Sequence, residues 1–203
     1  MFIDRESGSF NEKLVIDICG PFARPDLSGA RYILTMLDNF TRYLTVKPLL
    51  DKKATTIAEA FLEAWYFIHG PPKVIHMDNA KEFNGVEFTD LVRLLGVKQS
   101  FAPTYNPRSV RVERAHRTLN SLIRGACENH DGDWRGVLYA AVFTYNLTAH
   151  ASTGLSPYVA LHGRRPHVPA DVAFGTFPGG SFKNVAASAA NIRSRLHATV
   201  YPE

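Results

Sequence analysis

The alternation of apolar and polar residues predicts a group of strands in the first fifty residues. Lys13–Cys19 is a short run with apolar residues on both faces and Asp17 near its middle. Arg31–Asp38 is a second such run, residues 39–41 turn the chain, and Arg42–Lys47 returns as a third strand. Short runs of this kind, bounded by turn residues, are typical of strands, and the last two form a hairpin.

The spacing of apolar residues then changes from that of a strand to that of a helix. Ala54–His69 has helical periodicity, and Gly70-Pro71-Pro72 ends it. The apolar positions at this spacing predict the buried face of the helix. They are Ile57, Ala60, Phe61, Ala64 and either Phe67 or Ile68.

Strand and helix patterns alternate beyond this helix. Lys73–Met77 is a strand with Asp78 at its carboxyl end, Val86–Leu95 is a helix that Gly96 stops, and Val97–Phe101 is a fifth strand. Three consecutive strands followed by such alternation are typical of an α/β layer fold. We therefore predict a mixed five-stranded sheet flanked by helices.

The rest of the chain is predicted to be mainly helical. Residues 102–110 form a loop with two prolines, and longer helices follow over Arg111–Asn129 and Trp134–His150. A short helix over Ser156–His162 begins with Ser156-Pro157, a combination typical of a helix start. Beyond Pro166 the pattern is weaker.

Length and composition suit one globular domain. The chain has 203 residues, of which 45% are hydrophobic and 21% are charged, enough to bury a core. We expect a domain over residues 1–169 and a C-terminal extension over 170–203, made of a loop and a helix. No apolar run approaches the roughly eighteen residues of a membrane helix. Residues 1–6 lack an apolar signal region, so we expect a protein that is not secreted.

The net charge of +4 is unevenly distributed along the chain. Residues 1–102 carry 12 Lys/Arg and 13 Asp/Glu, a balance of −1, whereas residues 103–203 carry 11 and 6, a balance of +5. Ten of those eleven basic residues are Arg, whose forked donors suit phosphate groups. Both a nucleic-acid partner and an ordinary solvated basic surface are compatible with this distribution.

Three carboxylates occupy positions typical of a metal site. Asp17 lies within an apolar strand, so its charge needs either backbone donors or a cation. Asp78 ends a strand, where an α/β sheet opens its ligand crevice, and Glu113 lies in the first turn of a predicted helix. Such oxygen ligands suit Mg²⁺ or Mn²⁺, and two ions can support phosphoryl transfer. For each residue taken alone, a structural role is the alternative.

The predicted helix that carries Glu113 also presents a polar stripe. Arg117, Asn120 and Arg124 follow Glu113 at helical spacing and share its face. This stripe offers donors for phosphates and base edges beside the metal site. A solvated helix face is the alternative when the helix is considered alone.

Two other sets of residues have simpler interpretations. Asp38 is acidic and close to a strand end, but Asp38-Asn39 favours turn formation over metal binding. The helix from Trp134 is rich in apolar and aromatic residues, which indicate a core face or a two-fold dimer contact. These residues are Trp134, Leu138, Val142, Phe143 and Tyr145.

Several motifs in register resemble one known family. His76–Phe83 resembles the motif Ser-Asp-Asn-Gly-x-Glu-Phe, and residues 103–119 resemble Tyr-His-Pro-Gln-Ser-Asn-Gly-x-Val-Glu-Arg-x-Asn-Arg-Thr-Leu. Asp17–Phe22 stands where the first catalytic Asp of that family is expected, and residues 145–166 are similar to its trailing helices. The family is the integrase core of gypsy-type long-terminal-repeat retrotransposons and, more distantly, of retroviruses. The resemblance covers about residues 10–169.

The resemblance implies a ribonuclease H-like fold and a metal-dependent enzyme that processes retroelement DNA 3′ ends and joins them to target DNA. It implies that Asp17, Asp78 and Glu113 are both catalytic and metal-binding, with two Mg²⁺ or Mn²⁺ ions. It also implies a homodimer or higher homo-oligomer that acts on DNA, in the nucleus at integration and otherwise in the cytoplasm. The expected DNA-binding residues are Arg108, Arg111, Arg117, Asn120 and Arg124. The zinc module and the DNA-binding domain that usually flank this core are not visible.

The chain departs from the family pattern near the expected site. The 34 residues between Asp78 and Glu113 are one fewer than the family has. Val110 stands where the family has Asn-Gly, and Met77 and Ala80 replace Ser and Gly. These departures favour a second interpretation, in which a catalytically impaired or domesticated integrase domain binds DNA or a protein partner.

Overall fold

The computed structural model describes residues 8–77, 83, 85–101, 125, 134–150 and 153–167. Within them, five strands form one sheet: β1 (Lys13–Cys19), β2 (Tyr32–Asp38), β3 (Leu44–Leu49), β4 (Val74–Met77) and β5 (Lys98–Phe101). Their order is β3-β2-β1-β4-β5. Pairs β1–β2 and β2–β3 are antiparallel, whereas β1–β4 and β4–β5 are parallel. The predicted mixed five-stranded sheet is confirmed.

Helices flank this sheet, close to the predicted positions. They are α1 (Ala54–Phe61), a π-helical turn (Leu62–Tyr66), α2 (Phe67–His69), α3 (Val86–Leu94), α4 (Trp134–Leu147) and α5 (Pro157–His162). The start of α5 is confirmed as a capped one, because Ser156 Oγ accepts a hydrogen bond from the Val159 backbone N–H at 3.4 Å. None of the helices in the described ranges has the length and apolar composition needed to span a membrane.

Strand β3 begins and ends two residues later than predicted, and the turn before it explains why. The Asp38 carboxylate accepts hydrogen bonds from the backbone N–H groups of Phe40 and Thr41, at 3.2 and 2.7 Å. Arg42 has a φ of 63°, which is outside the extended region. The chain therefore becomes extended only after this turn. Pro48 fits within β3 because β3 is an edge strand.

The predicted apolar face of the 54–69 helix is wrong at its end. Phe67 and Ile68 are 72% and 65% exposed, whereas Trp65 is fully buried. A π turn takes up more residues than an α turn, so the residues after it are rotated relative to the predicted face. His69 packs against Trp65 instead, with ring centroids 4.7 Å apart. The Trp65 indole N–H also donates to Asn11 Oδ1 at 2.9 Å, which holds it in place.

The two sides of the sheet bury separate apolar clusters, and we call them the first and the second face. On the first face, residues such as Leu14, Ile16 and Met77 pack against α1 and α3. On the second face, strand residues such as Ile33 and Leu44 pack against α4. Both clusters follow from strand alternation, which directs neighbouring residues to opposite sides.

One side of helix α4 is buried in the core of the chain. Trp134 and Leu138 are buried in the cluster of the second face, together with Val142. These three residues are therefore core residues, in agreement with the first of the two predicted alternatives, and the two-fold dimer stays a prediction. Tyr139 and Phe143 are the large apolar residues of α4 that stay exposed, at 46% and 42%.

Near its end, α4 is fastened to edge strand β3 by one buried amide. Asn146 Oδ1 accepts from the Leu44 backbone N–H, and Asn146 Nδ2 donates to the Leu44 carbonyl, both at 2.9 Å. Asn146 is only 4% exposed. A side chain thus satisfies backbone groups that an edge strand would otherwise present to solvent.

Candidate active site

Asp17 lies on the second face of the sheet, two residues before Cys19, which belongs to the apolar cluster of that face. Its neighbours Ile16 and Ile18 pack with the first face, so alternation along β1 places Asp17 on the other side. Its side chain is half-buried. Asp17 Oδ1 accepts a hydrogen bond from the Ile18 backbone N–H at 2.8 Å. A backbone donor therefore meets this carboxylate, in agreement with one of the two predicted alternatives.

Thr35 holds the backbone of Asp17 from the neighbouring strand. The two residues are directly opposite in the β1–β2 pair, and Thr35 Oγ1 donates to the Asp17 carbonyl at 3.1 Å. Thr35 is fully buried. The sequence analysis did not identify Thr35 as a site residue. The signal that could have identified it is the pairing of β1 with β2, because a residue directly opposite Asp17 must share its face of the sheet.

Polar side chains continue across the second face towards β5. His76 on β4 is opposite Val15 on β1, and Ser100 on β5 is opposite His76. Both His76 and Ser100 are half-buried. Asp17, which is two residues further along β1 than Val15, lies on the same face together with Thr35, so these four polar residues are distributed over four strands. This polar part of the second face lies beside the apolar part that α4 covers.

The motif at residues 76–83 is anchored in the core at both of its described ends. Met77 and Phe83 are each 1% exposed and belong to the apolar cluster of the first face. The Phe83 ring packs against Phe88 of α3, with centroids 6.1 Å apart. The aromatic residue that closes the motif is therefore a packing residue. Asp78 falls between these anchors in sequence and lies outside the described residues.

Most of the other predicted site residues also lie outside the described ranges. They are Arg108, Arg111, Glu113, Arg117, Asn120 and Arg124. Within the part of the chain that the structure describes, no three His, Cys, Asp or Glu side chains converge as a metal site would require. Asp17 is thus the one predicted ligand whose surroundings are described. A half-buried carboxylate on a polar sheet face is compatible with an oxygen ligand for Mg²⁺ or Mn²⁺.

Asp38, the rival acidic residue, forms a turn as predicted. Its Oδ1 accepts from the Asn11 backbone N–H at 3.0 Å, and its Oδ2 accepts from Thr41 Oγ1 at 2.7 Å, in addition to the backbone bonds of the turn. Burial raises the pKa of Asp38 above its usual value, although the hydrogen bonds from Thr41, Asn11 and Phe40 act in the opposite direction. The carboxylate joins the N-terminal turn to the hairpin, and its role is structural.

Comparisons with known proteins agree with this architecture. Residues 9–107 match the family model described as integrase core domain. The chain is 31% identical, over 159 residues, to the retrovirus-related Pol polyprotein from transposon 412 of Drosophila melanogaster, which covers 78% of this chain and 13% of that protein. It is 31% identical, over 160 residues, to the human Gypsy retrotransposon integrase-like protein 1, covering 77% of this chain and 30% of the relative.

The fold is likewise shared with a solved integrase core. The crystal structure of the catalytic core domain of BIV integrase superposes with a TM-score of 0.54 at 19% identity, covering 73% of this chain and 91% of that one. This similarity identifies the fold as ribonuclease H-like. The chain spans less than a third of the length of the two curated relatives named above. Its sequence and its fold together show that the chain belongs to the integrase core domain family of retroelements, with residues 9–107 as the matched part.

Proposed function

We propose that this chain is the catalytic core of an integrase, a metal-dependent polynucleotidyl transferase. Its substrates would be retroelement DNA 3′ ends, which it processes, and target DNA, to which it joins them. The proposal assigns the catalytic and metal-binding roles to Asp17, Asp78 and Glu113. It places the site of action where target DNA lies, in the nucleus.

The observation that carries the proposal is the position of Asp17 in the parallel part of the sheet. Leu14 pairs with Ile75, and Val15 pairs with His76, so the two strands advance together. Two residues further along these strands in sequence come Asp17 and Asp78. This register, together with the positions of the two residues in the sequence, supports the proposal that Asp17 and Asp78 contribute to one site.

Bound divalent ions would polarise the phosphate and help a water or a 3′-hydroxyl to attack it. Carboxylates are suitable ligands for such ions, and Asp17, Asp78 and Glu113 are the residues that would hold them. The chain's own contribution at the described position is orientation. The Ile18 N–H bond at 2.8 Å and the Thr35 bond to the Asp17 carbonyl limit the freedom of this carboxylate before any ligand binds. Preorganised ligands need less reordering when a reaction begins.

The proposal also assigns DNA contacts to the arginine-rich part of the chain. Residues 103–203 carry five more basic than acidic side chains (11 minus 6), and phosphate contacts of this kind make affinity depend on salt. The DNA-binding residues in the proposal are Arg108, Arg111, Arg117, Asn120 and Arg124. Assembly as a homodimer or a higher homo-oligomer is part of the same proposal.

Strand transfer with a labelled DNA end tests the proposed activity. Wild type should join the end to target DNA only when Mg²⁺ or Mn²⁺ is present. Asp17→Asn should reduce the rate by at least about 100-fold, because a bound metal ion stabilises the charge of the transition state by several kcal/mol. Asp90→Asn is the matched control, since Asp90 is a carboxylate on α3 whose nearest charged partner is Arg93 of the same helix. Urea unfolding of both variants shows whether either change affects folding.

The outcomes separate the two interpretations of the chain. If wild type binds the DNA end but transfers no strand with either metal, the enzyme proposal fails. The domesticated or impaired DNA-binding domain then becomes the better account, because the shortened segment around Val110 is the feature that favours it. Equal transfer by wild type and Asp17→Asn would contradict the assignment of Asp17 while leaving the activity in place.

A further inference from the structure

Strands β4 and β5 are joined by a pair of polar side chains as well as by their backbones. His76 and Ser100 are directly opposite each other, and His76 Nδ1 lies 3.2 Å from Ser100 Oγ. This is hydrogen-bond distance, and either atom can supply the proton, depending on the imidazole tautomer. The pair lies on the second face, the face that carries Asp17.

The position of the pair in the sheet gives it a specific consequence. In the described sheet β5 is an edge strand, so β4 is the strand that holds it in register. His76 is two residues before Asp78, and Ser100 is two residues before the segment 102–110, which leads to Glu113. A bond between these side chains therefore links the two strand ends from which two of the three proposed ligands follow.

The pair is also close in register to the third ligand. His76 is opposite Val15, and Asp17 is two residues beyond Val15 on the same face. Because β4 and β1 are joined by backbone hydrogen bonds, a displacement of β4 would also displace the part of β1 that carries Asp17. Half-buried polar groups of this kind cost free energy unless they are bonded, which favours retention of the hydrogen bond.

We propose that His76 and Ser100 form a positioning pair that holds the ends of β4 and β5 in the register needed for metal binding by Asp17, Asp78 and Glu113. The inference rests on the proposed function, because it assigns the pair a role towards those ligands. Neither side chain is assigned a contact with substrate or metal. Groups that orient metal ligands without touching the metal are known to influence affinity strongly.

Calorimetric titration of the whole chain with Mn²⁺ tests the positioning role without an activity measurement. Ser100→Ala should weaken Mn²⁺ binding by about five-fold, the equivalent of one hydrogen bond, whereas Ser100→Thr keeps the hydroxyl and should restore most of the affinity. Thr45→Val is the control, since it removes a half-buried hydroxyl from β3, at the opposite edge of the sheet. It should leave Mn²⁺ binding unchanged.

A double-mutant cycle tests whether the two side chains act as one unit. His76→Phe keeps a planar ring and removes both ring nitrogens, so it should weaken Mn²⁺ binding about as much as Ser100→Ala. The double variant should be no weaker than either single one, because both changes break the same bond. Losses that multiply in the double variant would overturn the pairing.

The backbone amide signal of Ile18 in an NMR spectrum separates failure of this inference from failure of the proposed function. Ile18 donates to the Asp17 carboxylate, so its amide reports on that side chain in the absence of metal. Ser100→Ala should shift this signal, and Thr45→Val should not. If wild type takes up no Mn²⁺, the proposed function fails, and a shifted Ile18 signal still supports coupling of the pair to Asp17. An unshifted signal, or unchanged Mn²⁺ affinity in Ser100→Ala, overturns the positioning role.

Discussion

The two faces of the sheet differ in what they bury. The apolar cluster of the first face extends from β3 to β4 and includes Leu49, Leu34, Ile16 and Ile75 beneath α1 and α3. The second face is divided. Apolar residues of β2 and β3, with Cys19 at the end of β1, pack against α4, whereas Asp17, His76 and Ser100 lie on β1, β4 and β5.

This difference shows how one sheet can serve stability and chemistry together. The apolar cluster of the first face contributes free energy of burial, at about 25 cal/mol per Å² of apolar surface removed from water. The second face gives up part of that contribution, because carboxylates and hydroxyls need bonds or water. It recovers order through specific hydrogen bonds, such as those of Thr35 with Asp17 and of Asn146 with Leu44. Stability therefore depends on packing on one face and on particular polar contacts on the other.

The largest effect is expected from a cavity in the first face. Phe61 is fully buried on α1, and its ring packs edge-on against Phe88 at 6.2 Å. Phe61→Ala should lower the free energy of unfolding by about 3–5 kcal/mol, measured by urea titration. Phe143→Ala, at a residue 42% exposed on α4, is the matched control and should change it by less than about 0.5 kcal/mol. Similar losses in the two variants would contradict the assignment of Phe61 to a tightly packed core on the first face.

A smaller effect is expected where the second face relies on one amide. Asn146→Leu keeps the number of side-chain heavy atoms and the branching at Cγ but leaves the Leu44 N–H and carbonyl without their side-chain partner. We expect a loss of about 2–4 kcal/mol in the free energy of unfolding, since each unsatisfied buried group costs about 1–3 kcal/mol. Hydrogen exchange at the Leu44 amide should accelerate at the same time.

Thr144→Ala is the control for that substitution. Thr144 is exposed on the same helix, and its hydroxyl donates to the Ala140 carbonyl one turn earlier. It should leave both the stability and the exchange at Leu44 nearly unchanged. If Asn146→Leu also leaves both quantities unchanged, apolar packing holds α4 to β3, and the two hydrogen bonds between Asn146 and Leu44 do not.

The smallest effect is expected from pH, at the place where helices of the two faces meet. The His69 ring at the end of α2 and the His162 ring of α5 both contact the Tyr43 ring, with centroids 6.2 and 5.6 Å away. Burial lowers the pKa of His69, and the nearby His162 lowers it further. Burial and Arg164 likewise lower the pKa of His162. The folded state therefore favours the neutral form of both imidazoles.

The sign of the pH effect follows from these directions. Above the ordinary histidine pKa of 6.5, both rings are neutral in the folded and unfolded chain, and they cause no pH dependence. Below it the unfolded chain takes up protons first, so stability falls as the pH decreases from about 6.5 towards the lowered folded pKa values. Melting temperatures between about pH 7.5 and 5 should show this decline in wild type. A His69→Gln, His162→Gln variant should show a flatter profile, and an equal slope in both proteins would contradict the role of these rings.

Local patterns in the sequence were sufficient for most of the elements. Strand β1 has the predicted bounds Lys13–Cys19, because an apolar run followed by Gly20-Pro21 is a complete local signal. Helix α3 and the Ser156-capped α5 were predicted for the same reason, since periodicity and caps are properties of neighbouring residues. The carboxylates and their likeness to an integrase core were also visible in the sequence.

Contacts between distant residues decided the rest. The bond of Trp65 to Asn11 joins residues 54 positions apart, and it holds the side chain that the π turn places in the core while Phe67 and Ile68 are exposed. Nothing in the local period of the helix signals that bond. The turn at Asp38 was predicted, but its extent was not: it includes Arg42, whose φ is 63°, and β3 therefore starts two residues later than predicted.

The candidate site shows the same division. The sequence determined that Asp17 is an aspartate within an apolar strand, and so a residue whose charge needs compensation. Only the sheet decided which face it occupies and which side chains share that face, because strand order and register bring Thr35, His76 and Ser100 from three other strands. Asn146 meets Leu44 across 102 positions of chain for the same reason. Periodicity is a property of neighbours along the chain, whereas polar residues on four different strands come to share one face of a sheet only after the strands have paired.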